Sequence, residues 1–100
     1  MVTEKKYYFL KLIPPRPTFI QDITVEEKNI MMHHAAYWKD KMNKGFVISF
    51  GPVFDPAGPY GVGIVVVESN EELMDFMEKD PANGLNRYEY HPTRAIVPDK

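Results

Sequence analysis

The chain has no cysteine, which excludes disulfide staples, thiolate metal ligands and cysteine nucleophiles, and suits a reducing compartment. It has no basic excess either: 12 Lys and Arg stand against 14 Asp and Glu, for a formal net charge of -2 at pH 7. No positive field is available to gather a polyanion, so no nucleic-acid partner is expected. Lys39, Lys41 and Lys44 form a local basic group that reads as a solvated helix end complementing the macrodipole. No apolar run approaches the length needed to span a bilayer, and Met1-Val2-Thr3-Glu4-Lys5-Lys6 leads into a strand-like run without a signal-peptide stretch. The expectation is a cytoplasmic protein with no membrane partner. Serine is scarce as well, and neither Ser49 nor Ser69 sits in the elbow context of an acylating nucleophile.

What is present is globular material, 44% hydrophobic and 26% charged, enough in 100 residues for one domain over 1–100 with a single core. Lys6 to Ile13 reads as a first strand, stopped by the stiff Pro14-Pro15-Arg16-Pro17. Thr24 with Glu27 three residues on is a capping-box signature that starts a helix near Val25, and Gly45 stops it. Phe46 to Phe50 is the second strand, ended by Gly51-Pro52. Turn chemistry in Asp55-Pro56-Ala57-Gly58-Pro59 leads into the third, Gly61 to Val67. A second helix begins near Asn70 and must end by Asp80, because Pro81 disfavours helical geometry before it. Arg87 to Ile96 is the last strand, interrupted or bent at His91-Pro92. The order βαββαβ is that of an α+β, ferredoxin-like protomer.

The strands are apolar on both faces. Tyr7, Phe9 and Ile13 alternate with Tyr8, Leu10 and Leu12; Val62, Ile64 and Val66 alternate with Val65 and Val67; Phe46, Ile48 and Phe50 alternate with Val47. Two helices on one side cover only one face, so the other predicts a partner, most simply a second copy closing sheet on sheet as a homodimer.

His33 and His34 sit side by side in the first helix, about 100° apart, and cannot do the same job. Met31, Ala35, Trp38 and Met42 mark the apolar stripe. His34 lies about 60° from Met31, on the flank of that stripe, while His33 falls nearly opposite, beside Asn29 and Asp40. An imidazole on the rim between core and water is both held and reachable. Its competing reading is a hydrogen-bonded structural histidine. Asp80, before Pro81, has a competing reading as the cap of a short turn through Pro81-Ala82-Asn83.

Taken together, His34-Ala35-Ala36-Tyr37-Trp38, Gly45, Phe50-Gly51-Pro52-Val53, Asp80-Pro81 and Tyr88-Glu89-Tyr90-His91-Pro92 resemble the YCII-related family. Pro15-Arg16-Pro17-Thr18-Phe19 and Asp55-Pro56-Ala57-Gly58 resemble one branch of it. The order and spacing of these motifs run over roughly residues 7–97. The resemblance implies a dimeric α+β barrel built from ferredoxin-like protomers and a His/Asp-centred site, which falls on His34 and Asp80. The family includes a dehydrochlorinase of aromatic breakdown, but its name does not determine a substrate.

Histidine's ordinary pKa, about 6.5, lets it take and return a proton near neutrality, and a carboxylate in reach orients the ring and stabilises the imidazolium. The expected function is therefore general acid/base catalysis on a small molecule, an elimination or isomerisation of an aromatic or lactone-like metabolite, with His34 and Asp80 catalytic. Phe50, Gly51 and Pro52 are candidates for the pocket wall, Arg16 for the anchor of an anionic substrate, and Trp38 and His91 for further lining. The alternative is a non-catalytic small-ligand binding or accessory protein of the same fold. No cofactor and no metal are expected: adjacent helical histidines diverge, whereas metal-binding helices use i, i+4 spacing. Haem-degrading enzymes of the same superfold carry their histidine in the second half, where the second helix has none. Gly61-Val62-Gly63 is too short for a nucleotide loop, and glycine inside a strand marks a bulge or a close approach.

Overall fold

The computed structural model describes residues 5–98. Strand β1 (Lys6–Ile13) is the extension that its aromatic and aliphatic run favours. Helix α1 (Phe19–Asp22) is a single turn inside the proline-rich connection, too short for any hydrophobic period to announce it. Helix α2 (Val25–Asn43) opens on the expected capping box: Glu27 N–H donates to Thr24 Oγ1 at 3.1 Å, and Thr24 N–H donates to the Glu27 carboxylate at 3.0 Å. It stops where Gly45 adopts φ of 91°, a conformation costly for any residue with a Cβ. Strands β2 (Val47–Val53) and β3 (Tyr60–Val67) form the hairpin, and helix α3 (Asn70–Glu78) follows, capped by Ser69. Strand β4 (Arg87–Thr93) completes the sheet.

The sheet is antiparallel in the order β2-β3-β1-β4, the ferredoxin-like α+β arrangement. Two prolines fall differently from expectation. Gly51-Pro52 continues β2 instead of ending it, and β4 runs through His91-Pro92 but stops at Thr93, short of Ile96. Both strands lie at sheet edges, where a residue without an N–H can face away from its neighbour.

Leu10 and Leu12 of β1 and Val65 and Val67 of β3 meet Trp38 of α2 and Leu73, Phe76 and Met77 of α3 in one core. Val47 and Phe50 share that face. The expected alternation set them apart, but the pairing register shifts between Val47 and Ser49, and the bulge returns Phe50 to the helix side. The opposite face carries Phe9, Val62 and Ile64, as the alternation of β1 and β3 requires, and no helix among the described residues packs over it. No helix among the described residues is long and apolar enough to cross a membrane.

Candidate functional site

Helix α2 holds His34 between core and solvent, its side chain 12% exposed, while His33 is exposed. Asp80 follows the last turn of α3, where Pro81 forces the chain out of helix and turns the carboxylate inward, with no exposed side-chain surface. The two meet across 46 residues: His34 Nδ1 lies 2.9 Å from each Asp80 oxygen. Trp38 Nε1–H donates to Asp80 Oδ2 at 2.8 Å, Ala82 N–H donates to Oδ1 at 2.9 Å, and the Tyr88 hydroxyl donates to Oδ2. The bond from Ala82 is the turn cap read from the sequence, so Asp80 caps its turn and holds His34 at once.

Burial alone would push the Asp80 carboxyl up. Hydrogen bonds from His34, Tyr88 and the Ala82 N–H outweigh it and hold the carboxyl below its ordinary range. The group is therefore an anion and only accepts, so His34 Nδ1 must carry the proton of that bond. Nε2 is the nitrogen left for a ligand. The buried charge also acts on its neighbours: burial first and the Asp80 anion second push the Tyr37 hydroxyl to about 12 and raise that of Tyr88 further still. Both phenols stay protonated near neutral pH and serve as donors.

His34 borders a cavity of about 290 Å³ between α2, the α1 segment and one end of the sheet. Trp38, Phe50, Gly51 and Pro52 line it, joined by Leu12, Phe19 and Tyr60. Its volume is at the lower end of small-molecule sites. Trp38 comes close against the sheet because Gly63 has no side chain; a Cβ there would run into the indole ring. That is the close approach which glycine in this strand signals.

Two residues grouped with the site are elsewhere. Arg16 does not line the cavity: its Nε donates to Asp22 at 2.6 Å, and its terminal nitrogens donate to the two Glu27 oxygens at 2.7 and 2.9 Å. Arg16 and the Thr24 N–H hold the Glu27 carboxyl down at about 2, and the guanidinium is pinned in its charged form. The guanidinium is thus committed to Asp22 and Glu27. His91 pairs with Phe9 and faces the open side of the sheet, whereas Leu12 and its partner Tyr88 face the helices. Strand alternation separates it from the cavity. The sequence names Tyr88 only within the family motif, with no place at the site, and does not single out Asn86. Tyr88 had a usable signal, its alternation with Glu89; Asn86, in an irregular connection, had none.

Solved structures that share the fold include the following two. An uncharacterized protein of Thermotoga maritima superposes with a TM-score of 0.59 at 10% identity, covering 91% of this chain and all of that one. A 5-chloro-2-hydroxyhydroquinone dehydrochlorinase of Burkholderia phenoliruptrix, in complex with 2,5-dihydroxybenzoquinone, gives 0.58 at 24% identity, covering 87% of this chain and 93% of that one. No curated protein matches in sequence. The family model of the YCII-related domain matches residues 8–94, and the chain belongs to the YCII-related family.

Proposed function

We propose that the protein is a small-molecule enzyme in which His34 acts as general base and acid and Asp80 positions and stabilises it. The carrying observation is the bond from His34 Nδ1 to the buried Asp80 carboxylate at 2.9 Å, with the same imidazole bordering an apolar cavity. Nε2 takes a proton from a carbon of the bound molecule. In an elimination the freed electron pair forms the new double bond as a leaving group departs from the adjacent carbon. In an isomerisation the imidazolium returns the proton at a second position. Asp80 offsets the positive charge that the ring carries in between. The dehydrochlorinase among the similar structures supports the elimination on a ring-sized substrate. The working form is a cytoplasmic homodimer joined through the open sheet face.

The test compares the two histidines on a metabolite found by thermal-shift screening. His34→Ala is expected to lower turnover by roughly 10²–10⁴-fold, the usual contribution of a positioned acid or base. His33→Ala, exposed on the far side of α2, is expected to leave turnover unchanged. Equal turnover in wild type and a folded His34→Ala would leave a ligand-binding protein instead.

A further inference from the structure

Among the described residues lining the cavity there is no Lys, Arg, Asp or Glu, and nearly every side chain is apolar. The polar exceptions are His34, Trp38, Tyr60 and Asn86. Trp38 spends its N–H on Asp80. Asn86 is different. It is only 7% exposed, and its Oδ1 has no hydrogen-bond partner, the single such buried side-chain atom among the described residues. Its Nδ2 reaches only the Met31 sulfur at 3.5 Å, a weak acceptor.

A buried amide left this far unpaired is costly, and it does not repay that cost by holding the fold. The backbone of Asn86 is secured independently, its N–H donating to the Ala82 carbonyl at 2.9 Å. The side chain adds no bond to that turn. Leucine would fill the same space without the penalty. A polar residue kept here points to a polar atom that arrives with a ligand.

We propose that Asn86 is the second hydrogen-bonding anchor of the cavity, orienting an uncharged, ring-sized ligand whose one polar atom meets Asn86 while another part of it meets His34 Nε2. Met31, against which the Asn86 amide sits, precedes His34 by three residues, so the two lie on one side of α2 and both border the cavity of about 290 Å³. Oδ1 is closed off from solvent, so the amide turns about its terminal torsion, which is broad and two-fold, to meet the ligand. With Arg16 committed to Asp22 and Glu27, no free cation among the described residues borders the cavity to favour an anion. The proposal deepens the acid/base reading of the same site and rests on it for the role of His34.

Resorcinol and m-cresol are suitable probes, alike in shape and differing by one hydroxyl in place of a methyl. Binding is followed through the indole N–H resonance of Trp38, the only tryptophan and a lining residue. Wild type is expected to bind resorcinol more tightly, because m-cresol leaves one anchor unpaired. Asn86→Leu is expected to shift the ratio of the two dissociation constants about tenfold toward m-cresol, since the second hydroxyl is then buried without a partner. Its melting temperature should match or exceed that of wild type. Asn86→Ala, run in parallel, should shift the ratio in the same direction. An unchanged ratio in a folded variant overturns the proposal, as does equal loss of both probes with a lowered melting temperature. Failure of both variants to fold also overturns it, by making Asn86 a structural residue. Failure of the acid/base reading shows separately, as unchanged turnover in His34→Ala with the probe preference intact.

Discussion

A carboxylate with no exposed surface must be held by donors or give up its charge, and Asp80 is held by His34, Trp38, Tyr88 and the Ala82 N–H. Each donor withdrawn should move the carboxyl back toward neutrality. Tyr88→Phe keeps the ring and removes one bond to a charged group, so we expect a loss of about 1.5–3 kcal/mol of stability by urea unfolding. Turnover should fall too, and its acid limb should move to higher pH, an effect that loss of packing alone would not produce. The pH dependence of stability follows from the same site. The Asp80 carboxyl lies below its ordinary value in the folded protein, so the unfolded chain takes up the proton first. Its contribution is complete above about pH 4 and is lost as pH falls below that value. Glu27, held at about 2, acts with the same sign. Melting temperature should therefore decline between about pH 4 and pH 2, and less steeply in Asp80→Asn. An equally steep decline in that variant would remove Asp80 from the account.

At the scale of elements, α2 meets the sheet through one large contact. Trp38 is 1% exposed, packs edge-on against Phe76 with centroids 4.9 Å apart, and covers Gly63. Helix, strand and dyad are thereby locked together, because the same indole donates to Asp80. Gly63→Ala should displace the ring, costing about 1–3 kcal/mol as overpacking and shifting the indole N–H resonance. An unperturbed resonance would show that the sheet yields instead of the indole. The α1 segment is held differently, through Arg16. Its bonds to Asp22 and Glu27 tie the proline-rich connection to the first turn of α2, and Phe19 of that segment borders the cavity. The resemblance to a family branch at Pro15-Arg16-Pro17 thus falls on a structural clamp. Residue type offers Arg16 as the anchor for a bound anion, but the Asp22 and Glu27 carboxylates lie within hydrogen-bond reach and hold it.

At the scale of the whole molecule, the helices bury one side of the sheet and leave Phe9, Val62 and Ile64 on the other. A face of that kind is costly to leave in water. We expect sedimentation to give a dimer at micromolar concentration, with an interface above about 1,000 Å². Ile64→Lys should dissociate or unfold it. A wild-type chain sedimenting as a stable folded monomer would defeat the homodimer. Val65 and Val47, which point into the helix side, cannot serve as test positions for that face; a charge there would only damage the core.

The local sequence determined the order of the four strands and two longer helices, the helix starts near Val25 and Asn70, the alternation of β1 and β3, and the choice of His34 over His33 as the rim residue. These depend on periods of two and 3.6 and on capping, which act within a few residues. The β2 bulge, the α1 turn and the courses of Pro52 and Pro92 were not legible there, because a strand's neighbours decide where an extra residue or a missing N–H is tolerated. The site itself belongs to tertiary structure. Periodicity says which side of an element is apolar, but not which sides meet. Only packing brought His34, Tyr88 and Trp38 together around the Asp80 carboxylate, committed Arg16 to Asp22 and Glu27, turned His91 to the far face and buried the Asn86 amide oxygen without a partner.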